Sequence, residues 1–361
     1  MSGAQQPGDL GPGPVVIVGT GLVGSSIGHD LTQAGLSVHL SDRIRSHAMV
    51  AAGLGAGVLD QPDPGAVRLV VVAVPPDSAA AVIVDSLARY PHAVVTDVAS
   101  VKGLLRRQVR EGSSEAARYV GSHPMAGSHH TGPLTAVPQL FVDRTWVITD
   151  EPANPAWTVA RVEQLAALCH ARVVHLDVDQ HDEAVAQVSH VPQLMSTLTA
   201  AHLRDVPDEH LVLAGQGIRD VTRIAASDPD LWRQIVTANA GAIRHELEGI
   251  RADLDELLAG LDDPQTVEGI MLRGRWGARA LPGKHGGRSR EWDSIVIEIP
   301  DTPGALARLF VDIDGAGVNV EDLSIEHDAA REVGFLSVAV SPERADGLRE
   351  AMQQAGWTVR G

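Results

Sequence analysis

The segment PVVIVGTGLVGSSIGHDLTQAG, residues 14–35, constrains the fold of this chain more than any other. A β-branched apolar run ends on Gly19, Gly21 and Gly24, spaced as G-x-G-x-x-G, and a helical pattern follows. Each glycine has a physical task where a strand–turn–helix corner meets a dinucleotide. Gly19 permits the tight turn, Gly21 lets the backbone approach a pyrophosphate, and Gly24 lets the helix pack on the strand. The helix, opening at Leu22, offers free N–H groups to phosphate. A second strand, SVHLSD (37–42), ends on Asp42, whose carboxylate suits the ribose diol of NAD and repels the extra phosphate of NADP. Arg43 beside it weakens that preference. The third strand, AVRLVVVAVPP (66–76), is apolar throughout, as a strand buried on both faces must be. Val74 and Pro75 at its end are expected to close the other side of the cofactor. The alternative is an ordinary strand–turn–helix corner with no ligand.

The series continues with AVVTDVAS (93–100), RYVGSHP (118–124), RTWVITD (144–150) and ARVVHLD (171–177), with helical stretches between some of them. Strands alternating with helices predict an α/β fold, a Rossmann-like, largely parallel, doubly wound sheet. After Asp177 the pattern is helical to about residue 280, with Leu254, Leu257, Leu258 and Leu261 at helical spacing. LPGKHGGRSR (281–290) reads as a glycine-rich, basic linker. Beyond it, strand, helix, two strands, helix and strand follow in under 75 residues, the order of a ferredoxin-like βαββαβ unit. The expected organisation is a flexible leader (1–13), a dinucleotide-binding domain (14–180), an all-helical substrate and dimerisation domain (181–280), the linker, and a small C-terminal domain (291–361). At 361 residues, two or three domains are what a chain of this length requires.

VGSHPMAGSHHTG (120–132) ends a strand on His123 and continues into glycines. In doubly wound folds the active site lies at the carboxyl ends of the strands, and Ser100 lies at another such end. His123 is a natural base for an alcohol being oxidised, and Ser100 can donate a hydrogen bond to the same oxygen. Two plainer readings compete: a satisfied polar residue at a strand end, or a metal site of His123, His129 and His130. The spacing of the three histidines matches no common zinc site. In GQGIRDVTRIAASDPDLW (215–232), Arg219 and Arg223 are four apart, share a helical face and can hold carboxylates with forked hydrogen bonds. From spacing alone, a solvated face paired to Asp220 or Asp228 is the simpler reading. SHVPQL (189–194) adds His190 and Gln193 to a helix beginning near His181; His190 reads as structural, and Pro192 predicts a kink or boundary.

The formal net charge of −17 argues against nucleic acid or an anionic membrane as the main partner. Local arginines can still hold a small anion. Cys169 is the only cysteine, so no intrachain disulfide forms and a cysteine-based metal site is not expected. The N-terminus has neither the basic region nor the apolar core of a signal peptide, and the longest apolar run falls far short of the ~18 residues a membrane span needs. A soluble, cytoplasmic protein is expected.

Taken in order, GTGLVGSS, DVASVK, GSHPMAGSHHTG, HDEAVAQVSHVPQL and GIRDVTRIAASDPDLW resemble the prephenate/arogenate dehydrogenase family, from Pro14 to about Arg279. The C-terminal part resembles an ACT domain, a small-molecule-binding regulatory module. The family oxidises a cyclohexadienyl alcohol with NAD or NADP and releases carbon dioxide as the ring becomes aromatic. The resemblance implies that His123 accepts the hydrogen bond, and the proton, of the substrate C4 hydroxyl. It implies that Ser100 lies near that hydroxyl and the nicotinamide. Arg223 would grip a substrate carboxylate with help from Arg219, and Trp232 would line the pocket entrance. It also implies a homodimer through the helical half.

Two departures from the family pattern concern substrate choice. His129 stands where many relatives have glutamate, and Gln193 where many have a second histidine. A keto acid lacks the cation an acidic residue attracts, so His129 favours prephenate over arogenate. In the ACT-like part, Asp301, Gly304 and Asn319 lie where such modules bind amino acids, and tyrosine is the expected effector; a purely dimerising module is the alternative. The expected activity is therefore NAD-dependent prephenate dehydrogenation with no metal. Its rivals are arogenate dehydrogenation, another β-hydroxyacid-type dehydrogenation, and a non-catalytic nucleotide or amino-acid sensor.

Overall fold

The computed structural model describes residues 13–126, 132–281, 292–328 and 333–360. His129, His130 and most of the expected linker lie outside the described residues. The chain divides into two compact units, Met1–Ile250 and Arg251–Gly361.

In the first unit, seven strands form one sheet: β1 (Val15–Val18), β2 (Val38–Ser41), β3 (Leu69–Val72), β4 (Val94–Asp97), β5 (Tyr119–Pro124), β6 (Thr145–Thr149) and β7 (Arg172–His175). Their order is β2-β1-β3-β4-β5-β6-β7. The helices between them are α1 (Leu22–Gln33), α2 (Arg45–Gly53), α3 (Pro76–Arg89), α4 (Gly103–Gly112) and α5 (Ala156–Leu168). Side chains alternate across a strand, and here the alternation builds two cores. Val15 and Ile17 of β1 face Ile27 and Leu31 of α1 and Leu165 of α5. Val16, Val70 and Val72 face Ile83 and Leu87 of α3 and Leu105 and Val109 of α4. Helices therefore cover both faces, as the apolar β3 run requires.

Strands β1 to β5 are mutually parallel, but β6 runs antiparallel to β5 and β7 is parallel to β6. The reversal follows from the connection. Of the described residues between β5 and β6, only the single 3₁₀ turn Pro133–Thr135 is helical. An antiparallel neighbour needs no crossover helix, whereas a parallel one does. The crevice between the carboxyl ends of β1 and β3, where the chain order reverses, is where such sheets bind ligands.

Helices fill the rest of the first unit. These are α6 (Val178–Val185), α7 (Val191–His202), α8 (Asp208–Leu211), α9 (Gln216–Thr222), α10 (Pro229–Ala238) and α11 (Ala240–Ala259), the last crossing into the second unit. Asp177 and Gln180 form a reciprocal capping box that starts α6. Pro192 marks a boundary: it lies in the first turn of α7, where a proline is tolerated. A π-helical turn, Ala186–His190, joins α6 to α7 just before it and absorbs the hydrogen bond that proline cannot make.

The second unit holds α12 (Pro264–Arg279) and a four-stranded antiparallel sheet. Its strands are β8 (Asp293–Pro300), β9 (Asp322–Asp328), β10 (Val333–Val340) and β11 (Val359–Arg360), in the order β11-β8-β10-β9. Helices α13 (Ala305–Gly315) and α14 (Pro342–Gln354) complete a βαββαβ succession. Ile295, Ile297, Leu309, Leu336, Leu348 and Trp357 form its core. Among the described residues no helix is long and apolar enough to cross a membrane.

Candidate active site

The turn after β1 is shaped by what a side chain would strike. Gly19 has φ 98°, and a Cβ there would lie 2.3 Å from the Ala73 carbonyl oxygen. At Gly24 a Cβ would lie 2.0 Å from the Gly19 carbonyl oxygen. At Gly21 nothing lies within 4 Å, so that face is open to a ligand. No side chain caps α1, whose N-cap is Gly21, so its first N–H groups point into the open space. A pyrophosphate fits this cradle. Leu22, by contrast, buries its side chain and contributes only backbone there. Val74 and Pro75 follow β3, with Val74 packed near Gly19 and Pro75 capping α3.

Asp42 does more than wait for a ribose. It accepts hydrogen bonds from the Thr20 amide at 2.7 Å, the Thr20 hydroxyl at 2.9 Å and the Ile44 amide at 2.8 Å. Burial pushes its carboxyl up, but these donors outweigh burial and hold it below the usual carboxylate value. The ionised side chain therefore braces the glycine turn from the end of β2.

His123 lies at the carboxyl end of β5, on the same edge as the glycine turn and Ser100. Its Nδ1 is 3.0 Å from Nε2 of His181, and the rings meet edge to face. Nδ1 of His181 is 2.9 Å from Oδ1 of Asp182. Asp182 also accepts from the backbone amides of Lys102 at 2.9 Å and Gly103 at 2.7 Å. Burial raises its carboxyl, but His181 and the two amides prevail, and it stays below the usual value. For His123 every influence has one sign. Burial first, then His181, Lys102 and His190, hold its imidazole well below the ordinary 6.5. The ring is neutral at physiological pH and so able to accept a proton.

Below this cluster, Lys102 is completely buried; its ammonium pairs with Asp97 and donates to the Ser122 carbonyl at 2.7 Å. Asp97 also accepts from the Tyr119 hydroxyl at 2.7 Å. On the other side, the Asn239 amide donates to the Asp182 carbonyl at 2.8 Å and to Nδ1 of His190 at 3.2 Å. Burial, opposed by Asp182 and aided by His181, pulls His190 down to about 4, so this ring is neutral with its proton on Nε2. The His190 ring meets Trp232 edge on at 6.0 Å between centroids. Helix α10 is tied to the cofactor side, where Gln234 accepts from the Asp77 amide at 3.0 Å.

The structure thus links His123 to Trp232 through His181, Asp182, Asn239 and His190. The Gln193 amide donates to the Ile224 carbonyl at 2.8 Å and so holds the 3₁₀ turn that carries Arg223. Arg219 lies on α9, and Arg223 begins that turn; both are exposed. Neither pairs with Asp220 or Asp228: Asp220 accepts from Gln216, and Asp228 caps α10. Ser100 lies three residues past β4, half-buried. In the second unit, Gly304 takes φ 88° and caps α13, Asp301 is exposed, and Asn319 donates to Glu321 at 2.6 Å.

His181, Asp182, Asn239 and Lys102 carry the cluster, yet residue patterns assigned them no role. The signals were faint: Lys102 is one of only two lysines in the chain, and His181–Asp182 follows a capping residue.

Comparison with known proteins gives the family. The family model for the prephenate dehydrogenase nucleotide-binding domain matches residues 27–175. That for the prephenate dehydrogenase dimerization domain matches residues 177–270. The chain is 33% identical over 355 residues to NovF of Streptomyces niveus, named a probable prephenate dehydrogenase; the match spans 95% of this chain and 98% of that one. It is 26% identical to the prephenate dehydrogenase of Lactococcus lactis, over 94% of this chain and 96% of that one. The solved arogenate dehydrogenase of Synechocystis superposes with a TM-score of 0.64 at 26% identity, over 74% of this chain and 98% of its own. The chain belongs to the prephenate dehydrogenase family of oxidoreductases.

Proposed function

We propose that this protein oxidises prephenate with NAD and releases carbon dioxide, giving 4-hydroxyphenylpyruvate. The observation that carries the reading is the half-buried His123, its imidazole held well below 6.5, with Nδ1 engaged by His181 and Nε2 without a partner among the described residues. NAD, when bound along the glycine turn, supplies the nicotinamide that accepts the hydride from C4. His123 Nε2 draws the hydroxyl proton as the hydride departs. Loss of the ring carboxylate drives aromatisation, and the proton returns to the same oxygen as it becomes a phenol. His123 is thus base and then acid, with no net proton change. Ser100 donates to that oxygen, Arg223 and Arg219 hold carboxylate, and Trp232 and Gln193 shape the pocket. Arginine's task is orientation.

NADH formation by the purified protein tests this. Turnover of prephenate with NAD is expected; silence with prephenate, NAD and NADP alike overturns it. The likeness to the Synechocystis arogenate dehydrogenase supports arogenate as the second reading, and turnover of arogenate alone would establish it. Arg223→Ala is expected to raise the KM for prephenate roughly 10–100-fold, the worth of a charged forked contact, with kcat changed far less. An unchanged KM would remove Arg223 from the site.

We also propose a regulated homodimer, in the cytoplasm, with the domain boundaries expected from the sequence. The matched dimerization model and the exposed Val188 and Leu198 favour pairing through the helices, which sedimentation would measure. The βαββαβ succession with strand order β11-β8-β10-β9 supports an ACT-like module. Tyrosine would bind near Asp301, Gly304 and Asn319; calorimetry without heat from tyrosine, phenylalanine or tryptophan would leave only the dimerising role.

A further inference from the structure

We infer that His181 and Asp182 act as a positioning pair that fixes which nitrogen of His123 carries its proton. The inference rests on the dehydrogenase reading only for the role of His123 as base. The argument starts at Asp182. Its carboxylate takes backbone donors from Lys102 and Gly103 at the start of α4. Its own carbonyl is held by Asn239. A Cβ at Gly103 would lie 2.8 Å from Oδ2, so this close approach needs glycine there. Held as a carboxylate, Asp182 can only accept. Nδ1 of His181 must therefore donate to it, and with a single proton on that ring Nε2 is left as an acceptor. Nδ1 of His123, 3.0 Å away, must then donate. The lone pair of His123 is thereby placed on Nε2, the nitrogen left for substrate.

The same chain can share the charge. As the substrate hydroxyl gives its proton to His123 Nε2, the His123 Nδ1 proton passes to Nε2 of His181. The positive charge then rests on the ring beside the Asp182 carboxylate, and both protons return when the product oxygen becomes a phenol. No proton is gained or lost overall. The other ionisable groups around the chain are Lys102, Asp97, Tyr119 and His190. Lys102 and His190 disfavour a cation on His123 itself, which makes a relay to His181 useful.

The test is ¹⁵N NMR of histidine-labelled full-length protein, with His123→Gln and His181→Gln used to assign the resonances. Near neutral pH, His123 should carry its proton on Nδ1 and His181 on its own Nδ1. A proton on Nε2 of His123, or a doubly protonated His181, overturns the inference whether or not the protein turns over prephenate. In Asp182→Asn the carboxamide can donate, which reverses the chain and moves the His123 proton to Nε2. That variant should lose roughly 10²–10³ in kcat with KM nearly unchanged. Should it fail to fold, His181→Leu and His181→Gln give the same decision. Leucine leaves Nδ1 of His123 without an acceptor and should lose at least about tenfold more kcat than glutamine, whose carbonyl still accepts. Equal rates in the two variants would exclude the pair as a positioning device. A wild type inactive on prephenate and arogenate would instead overturn the functional reading, leaving the NMR result to stand alone.

Discussion

His123→Asn is expected to lower kcat by about 10²–10⁴, the usual worth of a positioned general base, while NAD binds with little change. The reason is local. His123 ends β5, its ring is held by His181, and its side chain is no part of the glycine turn. Activity that survived the substitution would place the base elsewhere. The same environment predicts the pH profile. Burial, His181, Lys102 and His190 hold the imidazole well below 6.5, and the unprotonated ring is the active form. kcat/KM should therefore stay level as pH falls through 6.5 and decline only below it. An acid limb at or above 6.5 would contradict the assignment. Stability has the same direction: an unfolded chain takes up a proton near 6.5 that the folded one refuses, so stability is lost as pH falls below that value. Circular dichroism at each pH separates the two effects.

Lys102→Met should have the largest effect on stability. The ammonium and the Asp97 carboxylate are both buried from solvent, at 1% and 0% side-chain exposure. Burial pulls the lysine down, but Asp97 and Asp182 oppose it. Removing one partner of such a pair leaves a buried charge uncompensated and costs about 3–5 kcal/mol, which lowers the melting temperature by roughly 10 °C in a domain of this size. Replacing both partners, Lys102→Met with Asp97→Leu, should recover much of the loss, because the desolvated charges go together. Tyr119 would still lose its acceptor, so recovery should be incomplete. A single variant melting like the wild type would show that the pair does not pin β4 to β5.

The sequence by itself determined the seven strands of the first sheet, the glycine turn and the βαββαβ succession near the C-terminus. These follow from neighbouring residues: β-branched runs, helical spacing, and glycines whose φ or close approach no other residue tolerates. It also marked His123 as exceptional, because the histidine ends an apolar strand and glycines follow. Only the tertiary structure decided what His123 can do. His181 is 58 residues away and Asn239 another 58 beyond it, and contacts at such separations leave no periodicity to read. The direction of β6 was hidden for a similar reason, since its strand pattern is the same in either sense. Asp42 shows both layers at once. Its place at the end of β2 is legible in the chain, but its grip on Thr20 exists only when β1 and β2 lie side by side. Local pattern sets where strands and turns form, and packing then brings distant polar groups together. A buried carboxylate and imidazole stay only where each finds a partner.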